Sequence, residues 1–202
     1  MHPWHDVELP RSIDGPVPAI VEIPTGSKVK SELDKRSGLL RVDRVLFSAV
    51  HYPANYGFVP RTYCEDGDPL DILVYCQEPI EPLAIMRARV IGVMKMHDEK
   101  GEDDKLISVH ADDPEYAQVN DIGDLPSFRM QELRRFFQDY KVLEANKKVL
   151  VSEPQGRADG LRVLKEAIQL YKRERLRLLA TRDLAPGLSV ARRRLGRARS
   201  RD

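Results

Sequence analysis

With 202 residues and a mass of 23.1 kDa, the chain is long enough for one domain with an appendage and a full hydrophobic core. Hydrophobic residues make up 42% and charged residues 32%, which is typical of a globular protein, and no apolar run is long enough to span a bilayer. The N-terminus has no secretory pattern, and Cys64 and Cys76 match no zinc spacing. We therefore expect a cytoplasmic protein with free thiols and no membrane partner.

The net charge of +1 hides an uneven distribution. Residues 186–202 contain six arginines against one aspartate, so the rest of the chain is acidic. We interpret residues 181–202 as a basic, mobile tail, residues 1–16 as an N-terminal extension and residues 17–180 as the folded domain. Such a tail can bind nucleic acid or an acidic partner, although a solvated, frayed terminus also explains its composition.

Three short strands are predicted first, over residues 19–23, 28–33 and 39–45, and we expect them to form a meander. Glu22 interrupts the apolar run of the first strand, which costs energy unless something binds the carboxylate. In the second strand, regular alternation places Lys30 and Glu32 on one face and Ser31 on the other.

Residues 51–63 are rich in aromatic and turn-forming residues, which indicates a packed loop that presents phenols. A strand over residues 70–76 follows. Residues 85–96 and 106–110 then form a predicted hairpin, with an acidic turn at its tip.

Helical spacing appears only in the last part of the chain. It predicts one helix over residues 126–143, with Pro126 in its first turn, and a second from near Asp159 to Tyr171 or Leu178. A short strand is expected at 149–151. Many short strands followed by two helices imply an α+β fold, a small closed barrel with two helices packed outside.

The densest chemical signal is the acidic motif Asp66-Gly67-Asp68-Pro69-Leu70-Asp71. Its carboxylates repel one another when bare, so holding them together usually requires a hard cation such as Mg²⁺. The motif is not an EF-hand, because Gly67 comes too early and Pro69 stiffens the middle. An acidic surface turn before a strand is the alternative interpretation.

The second acidic turn, residues 98–105, strengthens the metal interpretation. Adjacent hairpins could bring carboxylates from both turns into one cavity, which would need several divalent cations and an anionic substrate to share them. Cations and phenols near these elements suit a phosphate or a condensed phosphate. They are Lys30, Arg44, Lys141, Tyr52, Tyr56 and Tyr140.

These residues together resemble family I soluble inorganic pyrophosphatases. The signature Asp-x-Asp-Pro-x-Asp is present in full at 66–71, and further matching blocks lie at 21–24, 42–44, 52–57, 98–105 and 136–141. The resemblance covers roughly residues 17–175. It implies an OB-like barrel, several Mg²⁺ ions per active site, hydrolysis of pyrophosphate to two phosphates, and a homo-oligomer.

Position by position, the resemblance implies three groups of site residues. The metal ligands would be Glu22, Glu32, Asp66, Asp71, Asp98 and Asp103. The substrate phosphates would be held by Lys30, Arg44, Tyr140 and Lys141. Asp68 resembles the proposed general base for the attacking water, and Tyr56 and Lys105 would support the site.

One departure from the family pattern is Ser31, where the family usually has tyrosine. Because we expect Ser31 to face away from Lys30 and Glu32, the site should survive this change. The alternative function is a nucleic-acid-binding barrel that uses the arginine-rich tail, but an acidic cavity would repel a polyanion unless metals intervened. A third interpretation keeps the fold without the activity, as a Mg²⁺-binding subunit.

Overall fold

A computed structural model describes residues 1–98, 101–144 and 149–183, without the side chains of Asp98 and of residues 181–183. The strands are β1 Val17–Ile23, β2 Val29–Leu33, β3 Leu40–Val45, β4 Asn55–Phe58, β5 Asp71–Tyr75, β6 Ile85–Met94, β7 Met96–Asp98, β8 Gly101–Glu102, β9 Lys105–His110, β10 Leu150–Val151 and β11 Gln155–Gly156. The helices are α1 Ser127–Asp139 and α2 Arg157–Asp183, with single 3-10 turns at Pro114–Tyr116 and Ile122–Asp124. Residues 184–202, most of the predicted tail, lie outside the described residues.

Five strands close into a barrel. Their order is β1, β4, β5, β9 and β6, and β6 pairs again with β1. The β5–β9 pair is parallel and the other four are antiparallel. The prediction of a small closed OB-like barrel with two helices outside is therefore confirmed.

The central strands are buried on both faces, which explains their continuous apolar runs. Because side chains alternate along a strand, Leu73 and Ile107 face the core that α1 covers, whereas Ile72 and Leu106 face the core that α2 covers. Close strand packing also fixes Gly57, since a Cβ atom there would lie 1.8 Å from the carbonyl oxygen of Ile20.

The first residues of the N-terminal segment pack against the folded domain. Trp4 is only 2% exposed, and its indole Nε1 donates a hydrogen bond to the carbonyl oxygen of Thr62 at 2.8 Å. The imidazole Nδ1 of His5 lies 2.9 Å from the Tyr171 hydroxyl on α2. These contacts fasten the first residues of the chain to both the barrel and α2.

Several local predictions were wrong. β1 pairs with β4 and β6 in the barrel, whereas β2 and β3 form a separate two-stranded hairpin beside it, so the first three strands are not a meander. The loop predicted at 51–63 contains β4, whose partners β1 and β5 impose an extended conformation on a turn-like sequence. Helix α1 ends at Asp139, and the next residues form turns.

Candidate active site

One cleft of about 640 Å³ lies between the barrel and the β2–β3 hairpin. Twelve of the thirteen predicted site residues line it. They are Glu22, Lys30, Glu32, Arg44, Tyr56, Asp66, Asp68, Asp71, Asp103, Lys105, Tyr140 and Lys141. The thirteenth, Asp98, is the last residue of β7, and its side chain lies outside the described part of the structure.

The barrel side of the cleft is centred on Asp71 and Lys105, which begin β5 and β9. The parallel register places these two residues opposite each other. The Lys105 ammonium lies 2.5 Å from Asp71 Oδ2 and 2.8 Å from Asp103 Oδ1. The Tyr56 hydroxyl, from the neighbouring strand β4, also donates to the Asp71 carboxylate. Strand pairing thus builds a fixed group of two carboxylates, one ammonium and one phenol.

Lys105 is held as a buried cation. Its side chain is 3% exposed, and this burial on its own would lower its pKa. The negative charges of Asp71 and Asp103 outweigh that effect and raise the Lys105 pKa well above the ordinary value. Lys105 therefore keeps its charge and holds the two carboxylates in place.

Glu22 is the most strongly buried carboxylate of the cleft. It lies on β1, is 7% exposed, and its Oε1 accepts a hydrogen bond from the Leu33 backbone N–H at 2.7 Å. Burial raises its pKa to about 8, with a further contribution from the charge of Asp71. Without an added cation, Glu22 is mostly protonated at neutral pH.

The turn before β5 presents Asp66 and Asp68. Gly67 has a φ of +91°, a conformation that favours glycine, and the Asp68 N–H donates to Asp66 Oδ1 at 3.0 Å. Burial raises the pKa of Asp66 to about 6, and the neighbouring charges of Asp68 and Asp71 act in the same direction. The chain therefore bends at Gly67, and both carboxylates reach the cleft.

Lys35 is a contact to this turn that sequence reasoning missed. Its ammonium donates to the carbonyl oxygen of Gly67 at 2.9 Å and forms an ion pair with the Asp68 carboxylate. Lys35 lies in the turn between β2 and β3, 32 residues before Gly67. No local pattern could have indicated a contact over that separation.

The hairpin side of the cleft carries Lys30 and Arg44, which face each other across β2 and β3. The Lys30 ammonium lies 3.0 Å from Glu32 Oε2 and 3.1 Å from Asp43 Oδ2. Arg44 pairs with the same Asp43 carboxylate. Its Nη2 atom is buried and has no hydrogen-bond partner within the described residues. The hairpin therefore presents two cations, of which one has an unused donor.

Ser31 borders the cleft between Lys30 and Glu32, which share a face as predicted. The pairing of β2 with β3 shifts register between Lys30 and Ser31, and Ser31 lines the cleft together with Lys30 and Glu32. The extra residue of this irregularity is Asp43 on β3, so the direction expected for the Ser31 side chain stays a prediction.

Tyr140 and Lys141 follow the end of α1 and complete the cleft. Tyr140 is 5% exposed and stacks on Phe136 with ring centroids 5.7 Å apart. The Lys141 ammonium lies 5.4 Å from the centre of the Tyr140 ring. Packing of α1 on the barrel thus places a phenol and a cation beside the hairpin cations.

Comparisons with known proteins agree with this geometry. The model of the inorganic pyrophosphatase family matches residues 19–172. The chain is 53% identical to soluble inorganic pyrophosphatase 2 of Chlamydomonas reinhardtii over 171 residues, covering 85% of this chain and 88% of that protein. It is 54% identical to a soluble inorganic pyrophosphatase of Oryza sativa subsp. japonica over 170 residues, covering 84% of this chain and 79% of that protein.

Solved structures give the same result. The inorganic pyrophosphatase of Helicobacter pylori superposes with a TM-score of 0.79 at 42% identity, covering 83% of this chain and 99% of that one. The inorganic pyrophosphatase of Thermus thermophilus superposes with a TM-score of 0.79 at 40% identity, covering 82% of this chain and 97% of that one. The chain belongs to the inorganic pyrophosphatase family. The resemblance drawn from the sequence is therefore confirmed.

Inorganic pyrophosphatases of this family are metal-dependent hydrolases. The donors in the cleft fit hard cations, because the predicted ligands are all carboxylates. Within the described residues, no three acidic, histidine or cysteine side chains already converge on a common metal position. Lys105 and Lys35 instead pair with Asp71, Asp103 and Asp68.

Three other expectations concern membrane spans, the cysteines and nucleic-acid binding. No described helix has the length and apolar character needed to cross a membrane. Cys64 and Cys76 are free thiols, as the sequence predicted. Nothing supports the nucleic-acid-binding alternative, and the arginines of residues 192–201 on which it depended lie outside the described residues.

Proposed function

We propose that this cleft hydrolyses inorganic pyrophosphate to two phosphates with the help of several Mg²⁺ ions. The observation that carries the proposal is the arrangement of one cleft, with clustered carboxylates on the barrel side and cations on the hairpin and after α1. Carboxylates suit divalent cations, and the opposing cations suit the oxygens of a condensed phosphate.

The carboxylates Glu22, Asp66, Asp71, Asp103, Glu32 and Asp98 are the proposed ligands of the Mg²⁺ ions. When bound, these ions would supply Lewis acidity and positive charge to the reaction. The raised pKa of Glu22, about 8, supports its role, because a buried carboxyl group gains most from a cation that replaces its proton. Tyr56 and Lys105 hold Asp71 in a fixed orientation.

Lys30, Arg44, Tyr140 and Lys141 form the proposed phosphate clamp. The buried Nη2 of Arg44 is a donor that a phosphate oxygen would satisfy. Lysine offers a point charge, whereas arginine offers a planar set of donors, so the two cations make different contacts with the phosphates. Both offset the negative charge that develops on the leaving phosphate.

Asp68 is the proposed general base. Its carboxylate lies in the cleft, on a turn whose backbone is held by the Cys64 N–H, which donates to the Asp68 carbonyl oxygen at 2.8 Å. It would orient the attacking water and accept its proton as the oxygen approaches phosphorus. The Lys35 ammonium beside it restrains the carboxylate.

Further assignments follow from the resemblance. We propose that residues 17–180 form the catalytic domain, with 1–16 as an N-terminal segment and 181–202 as a basic tail, and that the protein is a cytoplasmic homo-oligomer.

The test is release of phosphate from pyrophosphate, measured with Mg²⁺ and with EDTA, for the unmodified protein and for Asp68→Asn and Asp71→Asn. Asp112→Asn is the matched control, because Asp112 is exposed and pairs with Arg87 away from the cleft. We expect Mg²⁺-dependent turnover that is lost in both cleft variants and kept in the control. Absence of turnover with Mg²⁺, Mn²⁺ and Zn²⁺, with metal binding retained, would instead indicate a metal-binding module.

A further inference from the structure

The proposed phosphate clamp comes from two distant parts of the chain, and Glu144 joins them. Arg44 lies on β3, whereas Tyr140 and Lys141 follow α1. The Arg44 Nε–H donates to Glu144 Oε1 at 2.7 Å, although the two residues are 100 positions apart. The Glu144 backbone N–H donates to the Lys141 carbonyl oxygen at 2.9 Å. Glu144 therefore contacts both parts of the clamp.

This ion pair is largely shielded from solvent. The Glu144 side chain is 6% exposed and the Arg44 side chain 17%, whereas the Asp43 side chain, which also binds Arg44, is 32% exposed. A charge-assisted hydrogen bond away from solvent keeps a narrow geometry. Glu144 is thus the more sheltered of the two carboxylates that orient Arg44.

Two carboxylates fix the orientation of the Arg44 guanidinium. Glu144 accepts from Nε and Asp43 accepts from Nη1, and the guanidinium is planar, so these two contacts fix where Nη2 points. Nη2 is the buried donor without a partner within the described residues. Arg44 lines the cleft, whereas Glu144 is not among its lining residues.

We propose that Glu144 is a positioning residue, which orients the Arg44 guanidinium toward a phosphate of the substrate and keeps it in register with Tyr140 and Lys141. This inference rests on the proposed function of the cleft. Glu144 acts through Arg44 and does not itself touch the substrate. A buried ion pair alone is weak evidence for a stabilising role, so the proposal concerns binding geometry and not stability.

The experiment compares Glu144→Met, which removes the acceptor at similar length, with Glu144→Gln, which keeps a carbonyl acceptor and loses the charge. Glu166→Met, on the exposed surface of α2, is the control. The measurements are KM and kcat for pyrophosphate, the Kd of the non-hydrolysable analogue methylenediphosphonate by calorimetry with Mg²⁺, and the thermal unfolding midpoint.

We expect Glu144→Met to raise both KM and the analogue Kd by about 10-fold, and Glu144→Gln by about 3-fold, as the loss of a hydrogen bond to a charged group predicts. The control should match the unmodified protein. A purely structural role would lower the unfolding midpoint and the apparent kcat while leaving the analogue Kd unchanged, and this result would overturn the proposal.

A double-mutant cycle on analogue binding separates positioning from other effects. In an Arg44→Met background, Glu144→Met should change the Kd by less than about 2-fold, because the group it orients is gone. If the losses of analogue affinity in the two single variants add fully in the double variant, the proposal is overturned. If Glu144→Met does not fold, the same cycle is measured with Glu144→Gln. An unmodified protein that binds the analogue but releases no phosphate would refute the hydrolase, while the cycle would still test Glu144.

Discussion

The two sides of the cleft differ in their charge. The acidic wall, formed by Glu22, Asp71, Asp103 and Lys105, is built on or next to barrel strands and has more carboxylates than ammonium groups. The basic hairpin, β2 and β3, presents Lys30 and Arg44 already paired with carboxylates. The wall is incomplete without added cations, whereas the hairpin is neutralised until a substrate competes for its donors.

The two sides also differ in how they are packed. The wall belongs to strands that are buried on both faces, and its register follows from the packing of two hydrophobic cores. The hairpin is a two-stranded sheet whose outer side chains Val42 and Val45 are 63% and 54% exposed. We infer that the wall fixes the metal positions, while the hairpin can adjust to the substrate.

The largest effect should come from Lys105→Met. This change leaves Asp71 and Asp103 as partly buried carboxylates without their shared, buried ammonium, so the free energy of unfolding of the metal-free protein should fall by about 3 kcal/mol. Urea unfolding with EDTA and with Mg²⁺ measures it. Part of the loss should return with Mg²⁺, since cations can replace the ammonium. The control Lys165→Met lies on the exposed surface of α2 and should change little. An equally stable metal-free variant would contradict our account of the wall.

A smaller effect should appear in the pH dependence of the metal-free protein. The Glu22 pKa is about 8 in the folded state against an ordinary value of 4.5, so between these pH values the folded protein binds more protons than the unfolded chain. Its stability should therefore fall as the pH rises from about 4.5 to 8, by a few kcal/mol at most. Urea unfolding at several pH values, with EDTA present, measures this. Glu22→Gln should flatten the curve, and an unchanged slope in that variant would assign the effect to another group.

Arg44→Lys tests the hairpin. Lysine keeps the charge but cannot donate to Glu144, Asp43 and a phosphate in one plane. We expect kcat/KM to fall by about 10-fold with little change in stability, as the loss of a charge-assisted hydrogen bond predicts. Arg87→Lys is the matched control, because Arg87 is exposed and pairs with Asp112. Equal kcat/KM in the two variants would show that the guanidinium plane has no role.

The barrel was predictable because local patterns and core packing agree along most of its strands. Apolar runs indicated β1, β5, β6 and β9, and the motif at 66–71 indicated the acidic turn. The sequence could not indicate that β1 pairs with β4 and β6, since those partners are chosen by non-local packing. The same limit explains why Lys35 and Glu144 were missed, because their contacts span 32 and 100 positions.

The smallest effect on activity is expected from a change at Ser31. It borders the cleft between Lys30 and Glu32, opposite a point where β3 carries one extra residue, Asp43. Ser31→Tyr introduces the residue that the family usually has at this position. Because the hairpin has room to adjust, we expect kcat/KM to stay within about 2-fold of the unmodified protein. Stability should rise slightly, because aromatic side chains favour strands. Steady-state kinetics and thermal unfolding measure both. A loss of activity beyond 10-fold would mean that Ser31 contacts the substrate and that the hairpin is as rigid as the acidic wall.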